Sequence, residues 1–359
     1  MFKKIFPLLL VLVFLAVGCQ DRVVSLIKKD TAKIIPIEEK TEPAVQGDFT
    51  GSMVKGNYVY GAAMNLAWND MVSNIIHGPV KLDTKDSAAL RTTAAFNKAI
   101  FTKKDLDSAS YYVKSGFGQK IVDQVNRESR AKFPQKSFSD LKINLRNTDF
   151  LAYAYFLKQV EYPKEFAVDK LDFNVRSKKQ KVKSFYAQTN VQKGNVQILK
   201  YWNDEKFIIS LRLKDANDRM LVAKGFDMTD PQTVVKEVNA INPADITSME
   251  REDVFEMPML HLDAHREYTE MIGEKFANLG FEKYIIGLMF ENIKFDIDQK
   301  GARVENEAVI AGLATAMQPM FPPKDMVLNK PFWIVMERKD SKHPYFILGV
   351  NNAELMEKE

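Results

Sequence analysis

The stretch from Ala302 to Met326 constrains this chain most, because it gives neither helix nor sheet a continuous footing. Small, apolar and charged residues are mixed along it. Near its far end Pro319, Pro322 and Pro323 remove backbone donors and forbid a continuous helix or a central strand. Both flanks are ordered in pattern. Before it, Ile293, Phe295 and Ile297 alternate with Lys294, Asp296 and Asp298, the period of a strand with one buried face, and Gly301 then permits a backbone turn that a Cβ resists. After it, Phe332, Ile334 and Met336 alternate again, and Tyr345 to Val350 follows the polar turn Lys339 to His343, which predicts a terminal hairpin. A long structureless connection between two firm strands in a compact domain is usually functional.

The other end of the chain reads as an export signal. Lys3 and Lys4 precede the uncharged apolar run from Ile5 to Gly18, too short to span a bilayer comfortably, and Leu15-Ala-Val-Gly-Cys19 has the form of a bacterial lipobox with the single cysteine at the acylation position. The expected division is a lipoprotein signal over 1–18, a lipidated Cys19 with a polar tether over 19–50, and one domain over 51–359. Gln20 after the cysteine favours the outer membrane in a cell that has two. The mature protein is then an exported lipoprotein without disulfides, held at the membrane by lipid.

Removing residues 1–18 takes away two lysines and no acid, so the net charge falls from +4 to +2, which argues against general nucleic-acid binding. Hydrophobic content of 46% with 24 phenylalanines is enough for a large core. Helices are predicted over Tyr60 to Ile76, Asp86 to Ile100, Leu106 to Arg127 and Tyr268 to Leu279, the last capped by Gly280. Gly225 to Asn239 reads as helix or loop. Strands are predicted over Asp149 to Phe156, Val182 to Tyr186, Val196 to Tyr201, Phe207 to Leu213 and Val254 to Leu262. Helices first and an antiparallel-type sheet afterwards make an α+β domain.

Several of these segments resemble the serpin family in order and rough spacing across about residues 110–350. Ile293 to Gly301 is similar to the strand and hinge before the family's reactive-centre loop, and Asn329, Lys330, Pro331 and Phe332 open a segment similar to the signature strand after it. Ala154-Tyr-Phe-Leu-Lys158 with Tyr162 and Phe166, Leu199-Lys-Tyr201 before Phe207, and Met257-Pro-Met-Leu-His-Leu262 resemble further family segments. There are departures. The family's Ser-Pro-x-Ser segment is not found, Tyr153 stands where the family has Asn, Glu291-Asn292 replaces a His-Lys pair, and Trp333 replaces a smaller residue.

The resemblance implies an α+β single domain, N-terminal helices packed on large mainly antiparallel sheets, with an exposed loop that baits a serine or cysteine protease and inserts into the main sheet. It implies no enzymatic activity and no cofactor. The hinge is expected at Gln299, Lys300, Gly301, Ala302, Arg303 and Val304. Arg303, Glu305 and Glu307 look prohibitive for insertion, yet period two turns them outward if Ala302, Val304, Asn306, Ala308, Ile310, Gly312 and Ala314 turn inward. The one buried amide, Asn306, costs about 1–3 kcal/mol. Counting from the hinge places the bait near Thr315 and Ala316, with Met317 next, and counting back from Pro331 places it near Met320 and Phe321. No Arg or Lys lies between Ala308 and Pro323, so a target of chymotrypsin-, elastase- or subtilisin-like preference is expected rather than a trypsin-like one. The alternative is a non-inhibitory binding or scaffold lipoprotein. The protein is expected to act as a monomer.

Two other clusters have plainer readings. His261, Asp263 and His265 have metal-ligand spacing only on a helix, whereas the segment reads as a strand, so no metal is expected. Arg176, Lys178, Lys179, Lys181 and Lys183 form a basic run that either holds a polyanion or is a solvated strand face.

Overall fold

The computed structural model describes residues 10–17, 44–46, 56–134, 140–175, 178–301, 322–341 and 343–358 of the chain. The first strands are β1 (Leu10–Val17), β2 (Ala44–Gln46) and β3 (Tyr58–Gly61), followed by α1 (Ala63–Met71), which widens into a π-turn over Val72–Ile76. Helix α2 (Ser87–Asn97), strand β4 (Tyr111–Phe117), helix α3 (Gln119–Lys132) and strand β5 (Phe150–Phe156) come next. Then come β6 (Ala167–Val175), β7 (Lys178–Tyr186), β8 (Val196–Asn203), β9 (Lys206–Leu211), β10 (Asp218–Lys224) and α4 (Pro231–Asn239). The chain continues through β11 (Thr247–Ser248), β12 (Val254–Pro258), β13 (Leu260–Glu267) and β14 (Ile285–Ile297), and beyond the loop through β15 (Asp325–Val327), β16 (Phe332–Arg338) and β17 (Phe346–Val350).

These strands form three sheets. The first has the order β13-β14-β1-β5-β4, the second β11-β8-β9-β10-β16-β17-β3-β2 and the third β15-β12-β7-β6. Pairing is antiparallel except at β2–β3 and β12–β15, so the expected mainly antiparallel α+β architecture is present. One large core lies between the sheets. The inward residues of β5 (Phe150, Ala152, Ala154, Phe156) and of β14 (Met289, Ile293, Phe295, Ile297) meet those of β9, β10, β16 and β17 there. The other face of the first sheet is covered by α3, whose Ile121, Val122 and Val125 pack on Leu151, Tyr153 and Tyr155. Helix α4 covers the outer face of the second sheet, with Val234, Val235 and Val238 against Tyr58, Tyr60, Ile208 and Trp333.

Helix α2 is where the sequence places it, with the Asp86 carboxylate accepting from the backbone N–H groups of Ala88 and Ala89. Four expectations are corrected. Tyr60 to Ile76 is not one helix: Tyr58–Gly61 is a strand of the second sheet, and the helix starts at Ala63. Leu106 to Arg127 divides into β4 and α3 at Gly118, whose φ of 71° suits the turn between them. Tyr268 to Leu279 is a single 3₁₀ turn, Thr269–Met271, and then an irregular segment. Gly273 (φ 88°) and Gly280 (φ 85°) are both left-handed there, and Leu279 stands exposed. Val254 to Leu262 is also not continuous, because β12 and β13 belong to different sheets and part around Met259.

The terminal hairpin explains the unusual tryptophan. Trp333 lies opposite Gly349, where a Cβ would come within 2.7 Å of Trp333 Cζ3, and its indole N–H donates to the Asp227 carbonyl at 3.1 Å. Glycine at 349 therefore makes the room that tryptophan at 333 fills. Gly349→Ala is expected to destabilise the domain by about 1–3 kcal/mol through overpacking. Denaturant unfolding measures the loss, and Trp333→Phe in the same chain should return part of it.

Candidate functional site

The site is built where the described chain ends at Gly301 and resumes at Pro322. Strand β14 alternates between buried and half-buried residues from Gly287 to Ile297 and delivers the chain to the expected hinge at its C-terminal end. The hinge is fixed to the segment after β5. Tyr162 N–H donates to the Lys300 carbonyl at 3.2 Å, Phe166 N–H to the Gln299 carbonyl at 2.9 Å, and the Gln299 amide to Glu165 at 3.3 Å. Gly301 closes the turn with φ 101°. A Cβ there would meet the Val160 carbonyl oxygen at 2.6 Å, so glycine is required on two counts. Asp298, at the base of the turn, is pushed upward in pKa mainly by burial.

On the return side the chain is described again from Pro322. Lys324 N–H donates to Asp253 at 2.9 Å, Val254 N–H donates to the Lys324 carbonyl at 2.9 Å, and β15 pairs in parallel with β12. The buried Lys224 Nζ then gathers three acceptors: the carbonyls of Asp204 (3.0 Å) and Val327 (2.9 Å) and the Asn329 side-chain oxygen (2.9 Å). Burial holds the Lys224 ammonium below its usual pKa, with Glu205 opposing the shift. Lys330 pairs with Glu205 at 3.0 Å, Pro331 ends the segment, and Phe332 enters the core. The structure thus brings Gln299, Lys300 and Gly301 together at one root of the loop and Asn329, Lys330, Pro331 and Phe332 at the other. Ala302, Arg303, Val304 and the expected bait residues Thr315, Ala316, Met317, Met320 and Phe321 lie outside the described residues, as does Cys19.

Beside the hinge is a strand position enclosed on both sides. Strands β5 and β14 run parallel to each other and do not pair directly, because β1 lies between them, antiparallel to both. Its register runs from Leu10 opposite Phe156 to Ala16 opposite Phe150 on one side, and from Val11 opposite Asn292 to Val17 opposite Ile285 on the other. The expected signal segment therefore supplies a central strand of the first sheet.

The wall of this position carries a buried carboxyl. Glu291 is fully buried on the inward face of β14; Tyr268 O–H donates to its Oε2 at 3.0 Å, and Oε1 has no hydrogen-bond partner among the described residues. The Arg266 guanidinium lies 4.1 Å from the centre of the Tyr268 ring. Burial pushes the Glu291 carboxyl up to about 8, opposed by the Tyr268 hydrogen bond and the Arg266 charge, so it is largely protonated at neutral pH. Asn292 faces the other way and meets His265 Nδ1 at 2.6 Å. Residues 291 and 292 thus divide between core and surface, and the carboxyl takes the inner place. Glu291 is legible in hindsight: the alternation of Ile293, Phe295 and Ile297, carried back one step, puts 291 inside. Lys224 had no such signal, because β10 escaped the sequence reading.

His261, Asp263 and His265 share one face of β13, and each has a neighbour on β14. His261 pairs with Asp296, whose hydrogen bond raises the imidazole pKa, and Asp263 pairs with Lys294. No group of metal-ligating side chains is found among the described residues. On β7, Lys178, Lys179, Lys181 and Lys183 are exposed, Lys181 lies opposite Asp172, and Lys183 pairs with Glu357 at 2.9 Å. Arg176 lies outside the described residues. No helix among the described residues is long and apolar enough to cross a membrane.

No family model and no curated protein matches the sequence. Solved structures do match. Mouse protein-Z dependent protease inhibitor is 14% identical, with 83% of this chain and 91% of that one covered at a TM-score of 0.51. The thermophilic serpin tengpin in its native state is 12% identical, with 87% and 97% covered at a TM-score of 0.51. At these identities the likeness establishes the fold alone.

Ionisation of Glu291 should govern stability at alkaline pH. Its carboxyl rises from 4.5 to about 8 on folding, so the folded state holds a proton that the unfolded chain has lost. Stability therefore falls as pH rises from about 4.5 to about 8 and stays low beyond. Glu291→Gln keeps a polar partner for Tyr268 and removes the titration. The variant is expected to lose this slope and to exceed the parent at pH 9 by on the order of 3–5 kcal/mol. Denaturant titrations at pH 5 and pH 9 measure it, and equal slopes for the two proteins would overturn the assignment.

Proposed function

The chain has the serpin fold, and on that premise we propose that it is an inhibitor of a serine or cysteine protease, using residues 302–321 as a bait loop and a lipid on Cys19 as an anchor at the cell surface. One observation carries the reading. The Gly301 turn leaves β14 beside a position between β5 and β14 that takes a whole added strand, and a chain turning back from that hinge would run antiparallel to β14, the direction β1 already takes.

Length favours the same path. The added strand needs about 26 Å at roughly 3.3 Å per residue over its eight residues. The segment 302–314 is longer than that, and its alternation keeps Arg303, Glu305 and Glu307 off the inner face. Cleavage of the bait by the protease would free the segment to enter the sheet, and the energy released by the added strand would act on the acyl-linked enzyme. The target would have an apolar primary pocket of the chymotrypsin, elastase or subtilisin kind, because the bait region offers Leu313, Met317, Met320 and Phe321 and no basic residue. The protein would act as a monomer and in this role would catalyse no reaction.

A second reading, a non-inhibitory binding protein on the same fold, is favoured by the wall of the strand position. Tyr153 is buried under α3, and Glu291 lies buried without charge at the inner face. Both would resist separation of β5 from β14 if their burial is lost in the movement.

The two readings separate on one nick. Single cleavage between Ala311 and Phe321 in the protein lacking residues 1–18 is expected to raise Tm by tens of degrees, and a chymotrypsin-like enzyme is expected to form an SDS-resistant adduct. No rise and no adduct across a broad protease panel would leave the binding reading.

A further inference from the structure

The strand that fills the first sheet belongs to the segment whose sequence marks it for removal. Lys3-Lys4, the apolar run and Leu15-Ala-Val-Gly-Cys19 identify residues 1–18 as a leader, and eight residues of that leader form β1. We propose that the leader is a placeholder strand: before processing, Leu10–Val17 occupies the position between β5 and β14, excludes residues 302–314 from it, and surrenders it when the leader is cut away. The inference rests on the lipoprotein and loop-insertion readings above and adds what regulates that position.

Three observations support it. First, β1 is paired along both edges. Seven of its residues face β5 and seven face β14, with one irregularity between Leu15 and Ala16 on the β14 side. Without β1, two facing rows of backbone donors and acceptors on parallel strands are left open, and unpaired buried backbone groups are costly. Second, the position is exclusive. A strand turning back from Gly301 has the same direction and the same two neighbours as β1, so the sheet accommodates one of them. Third, the occupant is covalently held. Residues 18–43 link β1 to β2, which makes its pairing intramolecular and raises its effective concentration over any free peptide.

Processing ends that advantage in one step. Hydrolysis of the Gly18–Cys19 peptide bond consumes one water and leaves a carboxylate on Gly18 and an amine on Cys19. The leader then has to rebind from solution, while the loop remains tethered at Gly301. An apolar leader also has the bilayer as a competing destination. Before the cut the protein is closed to insertion; after it, the position is open to the loop alone.

Disulfide trapping tests the placement directly, because Cys19 is the sole cysteine and Cys19→Ser both removes it and blocks processing. The full chain in detergent micelles carries Val13→Cys with Phe290→Cys, or Val13→Cys with Tyr153→Cys, each pair directly opposite in the sheet. Opposed residues in an antiparallel ladder lie about 4.5–5.5 Å apart between Cα atoms, within disulfide reach. Val13→Cys with Lys294→Cys, four residues out of register, is the control. Both opposed pairs are expected to crosslink and the control is not. Failure of both opposed pairs, or equal crosslinking of the control, overturns the placement.

The second arm tests exclusion. The crosslinked full chain, nicked between Ala311 and Phe321, is expected to show no rise in Tm, while the same nick in a chain beginning at Gln20 raises it. A rise in the crosslinked protein overturns the placeholder role and leaves the inhibitor reading intact. Trapping in register with no rise in either protein overturns loop insertion and confines the inference to the leader's place in the sheet.

Discussion

The first sheet depends on one backbone constraint: β5 and β14 run in the same direction with a single strand's width between them. Two parallel strands at that separation cannot satisfy each other, and the strand that does so must be antiparallel to both. The rest of the molecule is arranged around keeping that position defined. Helix α3 clamps β4 and β5 from outside through Ile121, Val122 and Val125, and the large core fixes β14 and β5 from inside. The hinge residues are tied to the chain leaving β5, so the end of the position is held by Val160, Glu161, Tyr162 and Phe166. The chain leaving Gly301 therefore departs beside one end of a strand position whose width and direction are set by β5 and β14.

The far root of the loop obeys a different logic. It is held by polar groups under partial burial, with Lys224 as the hub for the Asp204 and Val327 carbonyls and Asn329. A buried ammonium that donates three hydrogen bonds is well satisfied, and removing it would leave three acceptors exposed to their desolvation cost. Gly225, next in sequence, lets β10 pass so near Glu205 that a Cβ would lie 2.3 Å from its carbonyl oxygen. The near root is a glycine turn tied through backbone hydrogen bonds to the chain after β5, whereas the far root is braced by a buried side chain.

Much of this was legible in the sequence wherever period two stood alone. Strand β14, strand β5 and the β16–β17 hairpin follow from alternation or from dense aromatic runs, and Gly301 from its place after them. The misreadings share a cause. Val113, Phe117, Ile121 and Val125 recur every four residues, a spacing that fits two strand periods as well as one helical turn, so the change from β4 to α3 at Gly118 was invisible. From Tyr268 to Leu279 apolar residues again fall at helical spacing, but two left-handed glycines and the bridges Leu82–Phe276 and Lys275–Ile285 commit the segment to an irregular path. The composition of Leu10 to Val17 suits an expected leader and announces no strand. Apolar runs of that length suit a membrane, a signal or a central strand equally until a partner sheet is known.

Glu291 shows what the closed sheet imposes on a polar side chain turned into the core. A carboxyl on the inward face of β14 stays buried only as the neutral acid, and the proton it keeps at neutral pH is a consequence of the sheet being closed over it. The neutral acid is therefore part of the folded core, and its ionisation is opposed by the packing over the inner face of β14. Tyr268 and Arg266 moderate the shift from the end of β13 and the segment after it, the first by donating to the carboxyl and the second by its charge. Glu291 therefore ties the stability of the folded domain to pH through the inner face of β14.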